Sequence, residues 1–290
     1  MALVFDTILP VFSIIAVGYV LAGRRFRFHL PTLADLAILV TSPALMFSVL
    51  SGTSLAPRQW GALAGGTLWV AAGTGLLVLA YLRGRPGRRR GLLLPAVFWN
   101  AGNMGLACSR LAFGPEGLEV AAIVFVTMAV LSSTFGIWIA KGENGLREAL
   151  RLPLVYASVG GVALALTETT LPRVVMEPIE MLADMAIPIL LLSLGAQLRN
   201  LPIAELSHSI AVVVIRMGGG VAFAAWFVWL FDVQGLERQV LLLASVMPPA
   251  VINVVFAERY QRDPGLVASS IVLGTLASIV TIPAVLLAIT

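Results

Sequence analysis

The sequence predicts an all-α polytopic membrane protein, ten transmembrane helices arranged as a 5+5 inverted repeat with two crossing broken helices, and three observations predict it. The 290 residues are 59% hydrophobic and only 12% charged, with a mean hydropathy of +0.96, where soluble domains carry roughly a quarter charged residues. Ten apolar stretches recur, each near the about 20 residues that cross a bilayer core. Two of the ten are interrupted, about 150 residues apart, by amides, glycines and prolines.

The N-terminus, Met1 to Asp6, lacks the basic segment and the small-residue cleavage site of a signal peptide, so the first stretch, roughly 3–22, is expected as a retained span. The second, 33–52, carries Pro43, and the third, 60–82, carries Gly61 and Gly65, small residues that let helices approach closely. In the fourth, 91–111, Phe98-Trp99-Asn100-Ala101-Gly102-Asn103-Met104-Gly105 places two amides and two glycines where lipid demands aliphatic side chains. The fifth and sixth are 118–140 and 153–170; the seventh, 177–198, holds Asp184 one turn before Pro188. The eighth, 209–231, contains Arg216 and the small-residue run Gly218 to Gly220. The ninth, 239–258, breaks at Met247-Pro248-Pro249-Ala250-Val251-Ile252-Asn253, and the tenth is 265–289.

Charge in the loops sets the orientation. Arg24, Arg25, Arg27, Arg83, Arg85, Arg88, Arg89, Arg90, Lys141, Arg147, Arg151, Arg199, Arg259 and Arg262 fall in one set of alternate loops, and only Arg58, Arg110, Arg173 and Arg238 in the other. This bias sends both termini outside and the Arg-rich loops to the cytoplasm of a plasma (bacterial inner) membrane. The net charge of +4 and pI near 9.8 are thus explained by topology rather than by nucleic acid, and the run Arg83 to Arg90 is a topology determinant that anionic headgroups could also meet. The single Cys108 excludes an internal disulfide and reads as a small packing residue; His29 and His208 lie in distant loops, so no metal or other cofactor is expected.

The chain also lies over itself at an offset near 145 residues, superposing Pro43 on Pro188 and Ser48 on Ser193, and the offset drifts toward 149 where Pro115 meets Pro264. Repeats of 1–145 and 146–290, with five spans each, must enter the membrane in opposite senses, as in many secondary transporters. Broken helices in corresponding halves are the best sequence pointer to such a carrier's binding site. Unwinding frees backbone N–H and C=O groups that must face protein or a polar cavity, and half-helix N-termini favour an anion. Asn100, Asn103 and Asn253 add amides that donate to a carboxylate or accept from a protonated one. Gly105, Pro248 and Pro249 complete the candidate substrate-binding set, whose glycines and amides packing alone would also explain.

These motifs resemble the auxin efflux carrier family, which includes plant PIN carriers and bacterial-type permeases for malate- or malonate-like acids. Asn100-Ala-Gly-Asn-Met104-Gly105-Leu106 is similar to the family's first crossover, Met247-Pro248-Pro249-Ala250-Val251 to its second, and Val255-Phe256-Ala257-Glu258-Arg259-Tyr260 to Asp263-Pro264 to the stretch that follows. The resemblance implies a scaffold bundle, 1–58 and 153–204 (spans 1, 2, 6 and 7), which commonly makes a homodimer. It also implies a transport bundle, 59–152 and 205–290 (spans 3–5 and 8–10), with Asn100 as the main carboxylate ligand. The family's proline after Gly-aliphatic is replaced here by Ala107, and a later crossover proline of the plant proteins falls at Asn253.

Two intramembrane charges are functional candidates by position. Asp184 is either a proton carrier or a hydrated or paired carboxylate. Arg216, roughly 12 Å along its span at 1.5 Å per residue, either snorkels to the interface, guides an anion or joins a structural ion pair. The function expected is a secondary transporter of small organic anions, bound at the crossover near the bilayer midplane. Alternatives are a sodium-coupled symporter of the bile-acid-carrier-like fold and a non-transporting membrane metabolite sensor. An enzyme fails on inventory, since His-Glu-x-x-His, Gly-x-Ser-x-Gly, paired intramembrane aspartates and a Walker sequence are all absent.

Overall fold

Proline placement explains where the helices begin. In the computed structural model, which describes residues 2–23, 29–83, 89–141, 147, 150–203 and 205–290, the helices are α1 (Ala2–Ala22), α2 (Leu30–Ser51), α3 (Pro57–Tyr81), α4 (Arg89–Val97), α5 (Ala101–Ala140), α6 (Pro153–Leu166), α7 (Arg173–Asn200), α8 (Leu206–Leu230), α9 (Gly235–Ser245), α10 (Ile252–Arg259) and α11 (Pro264–Ile289). α3 and α11 open before their expected starts at 60 and 265, and α6 opens at 153 as expected. Pro57, Pro153 and Pro264 stand at the first helical position, where a missing N–H has no consequence and the fixed φ suits the helix. The basic residues Arg24, Arg25, Arg27, Arg85 and Arg88 lie outside the described residues.

Among the described residues the chain is helical without strands, and seven helical runs are long and apolar enough to cross a membrane. This count differs from ten for two local reasons. The breaks leave α4, α9 and α10 at 9, 11 and 8 residues, each too short to span alone, and α6 has only 14. Expected span five, in turn, runs on from the second half of span four as the 40-residue α5, interrupted only by Gly114 at φ 71°, ψ −160°. Only glycine holds that conformation without strain, and Pro115 follows it.

α1 packs on α7 and α2 on α6, while α3 packs on α8, and α8 and α4 on α11. The α1–α7 contact is backbone-close: a Cβ at Gly195 would stand 1.9 Å from the Ile15 carbonyl oxygen, and one at Gly18 2.2 Å from that of Leu192. Trp69 of α3 meets Trp226 of α8 edge-on at 5.1 Å. α5 touches α1, α3 and α9, so it runs through the middle of the molecule. The core centres there, on Phe98, Trp99, Met104, Leu106, Leu243, Met247 and Ile271, all buried. Outward, the helices present Leu9, Leu76, Trp229 and Val280 among many large exposed apolar residues, an extent of apolar surface that belongs against lipid rather than water.

Candidate functional site

Both breaks follow from backbone groups that cannot continue a helix. After α4, the Asn100 N–H leaves the helical ladder and donates to the Pro248 carbonyl at 2.8 Å; in return the Ala250 N–H donates to the Phe98 carbonyl at 3.0 Å. Trp99 and Pro249 thus form an isolated antiparallel bridge, and the two interrupted helices are tied main chain to main chain. Asn100 itself, at φ −78°, ψ 63°, is the centre of an inverse γ-turn, closed by the Ala101 N–H on the Trp99 carbonyl at 2.8 Å.

From this turn the chain re-enters helix through a wide π-helical turn, Ala101–Leu106. The Asn100 side chain caps it, Oδ1 accepting from the Asn103 N–H at 3.0 Å, and the Gly105 N–H donates to the Asn100 carbonyl at 3.0 Å. The cap fixes which end of the amide remains: Nδ2 of Asn100 is buried and unpartnered. Asn253 is the complement. Its Nδ2 donates to the Phe98 carbonyl at 2.9 Å, and its buried Oδ1 is unpartnered. One break therefore offers a free donor and the other a free acceptor, each beside the positive end of a second half-helix, α5 or α10. Asn103 turns the other way, its Nδ2 reaching the Leu190 carbonyl of α7 at 3.2 Å. Gly102 leaves room for Phe125, 2.8 Å from where a Cβ would stand, and Gly274 of α11 does the same for Pro249 at 2.6 Å.

Arg216 does not snorkel. It is fully buried, carried on the π-helical turn Ile215–Gly219 of α8, and its guanidinium enters the crossing from behind. Nη1 donates to the Ala96 carbonyl at 3.2 Å and to Thr74 Oγ1 at 3.3 Å, and Nη2 to the Ser245 carbonyl at 2.8 Å. Its Cζ lies 4.5 Å from the centre of the Trp99 ring, a distance at which cation–π attraction acts. Ala96 and Ser245 are two of the carbonyls that the breaks deprive of helical partners. The donor due to Ala96 is Asn100 N–H, diverted to Pro248, and the donor due to Ser245 would come from Pro249, which has none. Hydropathy could not reveal this arrangement, and the local clue is Gly220, one turn beyond Arg216, where a Cβ would fall 2.2 Å from Nη2 and 2.4 Å from the Ser245 carbonyl oxygen.

The structure thus gathers Asn100, Gly105, Pro248, Pro249, Asn253 and Arg216 at one crossing, with Asn103 at its edge. Asp184 stands apart, exposed and 3.7 Å from Arg110. Cys108 is buried near the break without a partner cysteine, and among the described residues no cluster of metal-ligating side chains occurs. A surface hollow of about 280 Å³, lined by Trp229, Asp232, Gln234 and Arg238 among others, shares no residue with the crossing.

The sequence profile of the membrane transport protein family matches residues 141–286. The chain belongs to this family. It is 26% identical to an uncharacterized transporter of Methanocaldococcus jannaschii and 29% identical to one of Methanothermobacter thermautotrophicus, each match covering 96% of both chains. It is also 26% identical to auxin efflux carrier component 3a of rice, over 45% of this chain and 22% of that protein. The auxin efflux carrier resemblance read from the two crossover motifs is therefore met, and this family member is an integral membrane transport protein.

Proposed function

We propose that the chain is a secondary transporter of small organic anions, bound as carboxylates at the crossing of its broken helices. The observation that carries this reading is the pair of free amide ends, Asn100 Nδ2 and Asn253 Oδ1, set where two half-helices begin. Nδ2 suits a carboxylate oxygen; Oδ1 suits a hydroxyl or a protonated acid. Nothing in the crossing resembles a hydrolytic or redox centre, and transport rather than catalysis accords with the family.

Ten passes in a 5+5 inverted repeat belong to the same proposal. α5, at 40 residues, would measure about 60 Å against a hydrocarbon core of about 30 Å, so its bend at Gly114 divides it between two passes. The part after the bend makes one pass by itself, the part before it completes a broken span with α4, and α9 with α10 makes the other broken span. Residues 1–58 and 153–204 form the scaffold in this reading, a homodimer surface included, and 59–152 and 205–290 the moving bundle, with both termini outside. Asp184, beside Pro188, carries the proton if flux is proton-coupled.

The deciding experiment is a thermal-shift screen of the purified protein against mono- and dicarboxylates, followed by flux in liposomes. A ligand at 100 times its dissociation constant raises stability by about 2.7 kcal/mol. Silence across the whole carboxylate panel overturns the reading. Orientation is checked separately: a cysteine placed near Thr290 in a Cys108→Ser background reacts with an impermeant maleimide on intact cells.

A further inference from the structure

The guanidinium of Arg216 occupies a place with a particular meaning in carriers built on broken helices. The carbonyl ends of leading half-helices carry partial negative charge, and in such carriers these ends, with unwound carbonyls, coordinate the coupling sodium ion or proton. Here the two leading half-helices, α4 and α9, end at Val97 and Ser245, and one side chain reaches a last-turn carbonyl of each: Nη1 at 3.2 Å from Ala96, Nη2 at 2.8 Å from Ser245. The remaining contacts, Thr74 Oγ1 and the Trp99 ring, are neutral, so among the described residues no carboxylate offsets the buried charge. Gly220 is the opening that lets Nη2 reach Ser245, since any Cβ there would collide with it at 2.2 Å.

We propose that Arg216 is the resident cation of the crossing, a positioning residue that holds α4 and α9 end to end and takes the place of a coupling alkali cation. This rests on reading the crossing as the transport site. It deepens that reading by assigning the charge that faces a bound carboxylate from behind Trp99, and it sets the protein apart from the sodium-coupled symporter alternative. A fixed guanidinium cannot dissociate with each cycle, so the crossing keeps its positive charge whether or not substrate is bound.

The test needs no substrate, so it fails or succeeds independently of the carboxylate screen. The melting temperature of the purified protein is measured in equal concentrations of sodium, potassium and choline chloride, and wild type is expected to melt alike in all three. Arg216→Ala is expected to melt lower and to recover saturably with millimolar methylguanidinium, to which wild type is indifferent. Arg216→Lys, a point charge without the fork that spans two carbonyls, falls between the two. If Arg216→Ala yields no folded protein, Gly220→Ala, which crowds Nη2 off Ser245, carries the variant arm and is expected to lower the melting temperature with the arginine still present. Where a carboxylate probe such as malonate shifts wild type, its apparent affinity in Arg216→Lys is expected to drop about tenfold or more, as for a lost charge-assisted hydrogen bond. Saturable sodium or potassium stabilisation of wild type overturns the proposal, as does Arg216→Ala that melts like wild type. Carboxylate silence combined with the expected cation pattern overturns only the transport-site reading.

Discussion

The break after α4 keeps its backbone donors and redirects them, whereas the break after α9 is made of two residues that have none. In the first, Asn100 sends its N–H across to Pro248 and its side-chain oxygen forward to Asn103, so a single asparagine ends one half-helix and caps the next. In the second, Pro248 and Pro249 withhold N–H groups, and α10 starts at Ile252 with no side-chain cap. The first break is thus shaped by an amide that ends one half-helix and caps the next, the second by the absence of a donor plus packing from Gly274 of α11, with Asn253 tying it across to Phe98. A substitution that removes a made interaction strands its partner, while one that touches the proline break mostly changes shape, so the first break is the more fragile of the two.

Asn100→Ala should show the largest effect. It strands the Asn103 N–H, costing about 1 kcal/mol as a lost cap, and removes the free Nδ2, costing roughly 1–3 kcal/mol of carboxylate binding. Asn100→Asp separates the two losses: the melting temperature should hold while thermal shift by carboxylates is lost. Gly274→Ala comes next. A Cβ 2.6 Å from Pro249 Cδ overpacks the second break by about 1–3 kcal/mol, read as a lower melting temperature; an unchanged value would mean that α11 yields and that the break is not held from that side.

Asn253→Ala should be milder, at the low end of about 0.5–1.5 kcal/mol. The Phe98 carbonyl keeps its bond from the Ala250 N–H, and the unpartnered Oδ1 is removed along with the donor. A melting temperature that falls as far as in Asn100→Ala would erase the asymmetry between the breaks. Asp184→Asn comes last, because its exposed contact with Arg110 is of a kind that contributes about 0–1 kcal/mol. Its stability should be nearly unchanged, so the informative measurement is flux against pH. A flattened profile assigns Asp184 the proton, and an unaltered one leaves it a surface partner of Arg110.

Both breaks were legible in the sequence because they are local: amides, glycines and prolines inside apolar runs carry their meaning within a few residues. The helices themselves were legible from length and apolarity, with starts displaced where proline opens a helix before the apolar run. What joins the breaks was not legible. The Trp99–Pro249 bridge uses backbone groups that almost every residue possesses, so no side-chain pattern announces it across 150 positions. Of the alternatives open for Arg216, snorkelling fails for a related reason. Depth in a span says how far a side chain must travel to water, but not that Gly220, Thr74 and two orphaned carbonyls lie nearer. Gly114 likewise marked a turn that apolarity alone placed as an ordinary loop.

The bridge has a consequence for how such a protein can diversify. Its two hydrogen bonds run between main-chain atoms of Phe98, Asn100, Pro248 and Ala250, so the frame persists through exchange of most side chains projecting from it. Substitutions at 101, 250 or 252 can then reshape what fits between the half-helices while the half-helices stay aimed at the same point. A lineage inheriting this crossing could change its cargo by small steps, each leaving a folded protein, with innovation confined to side chains and the architecture kept in the peptide bonds.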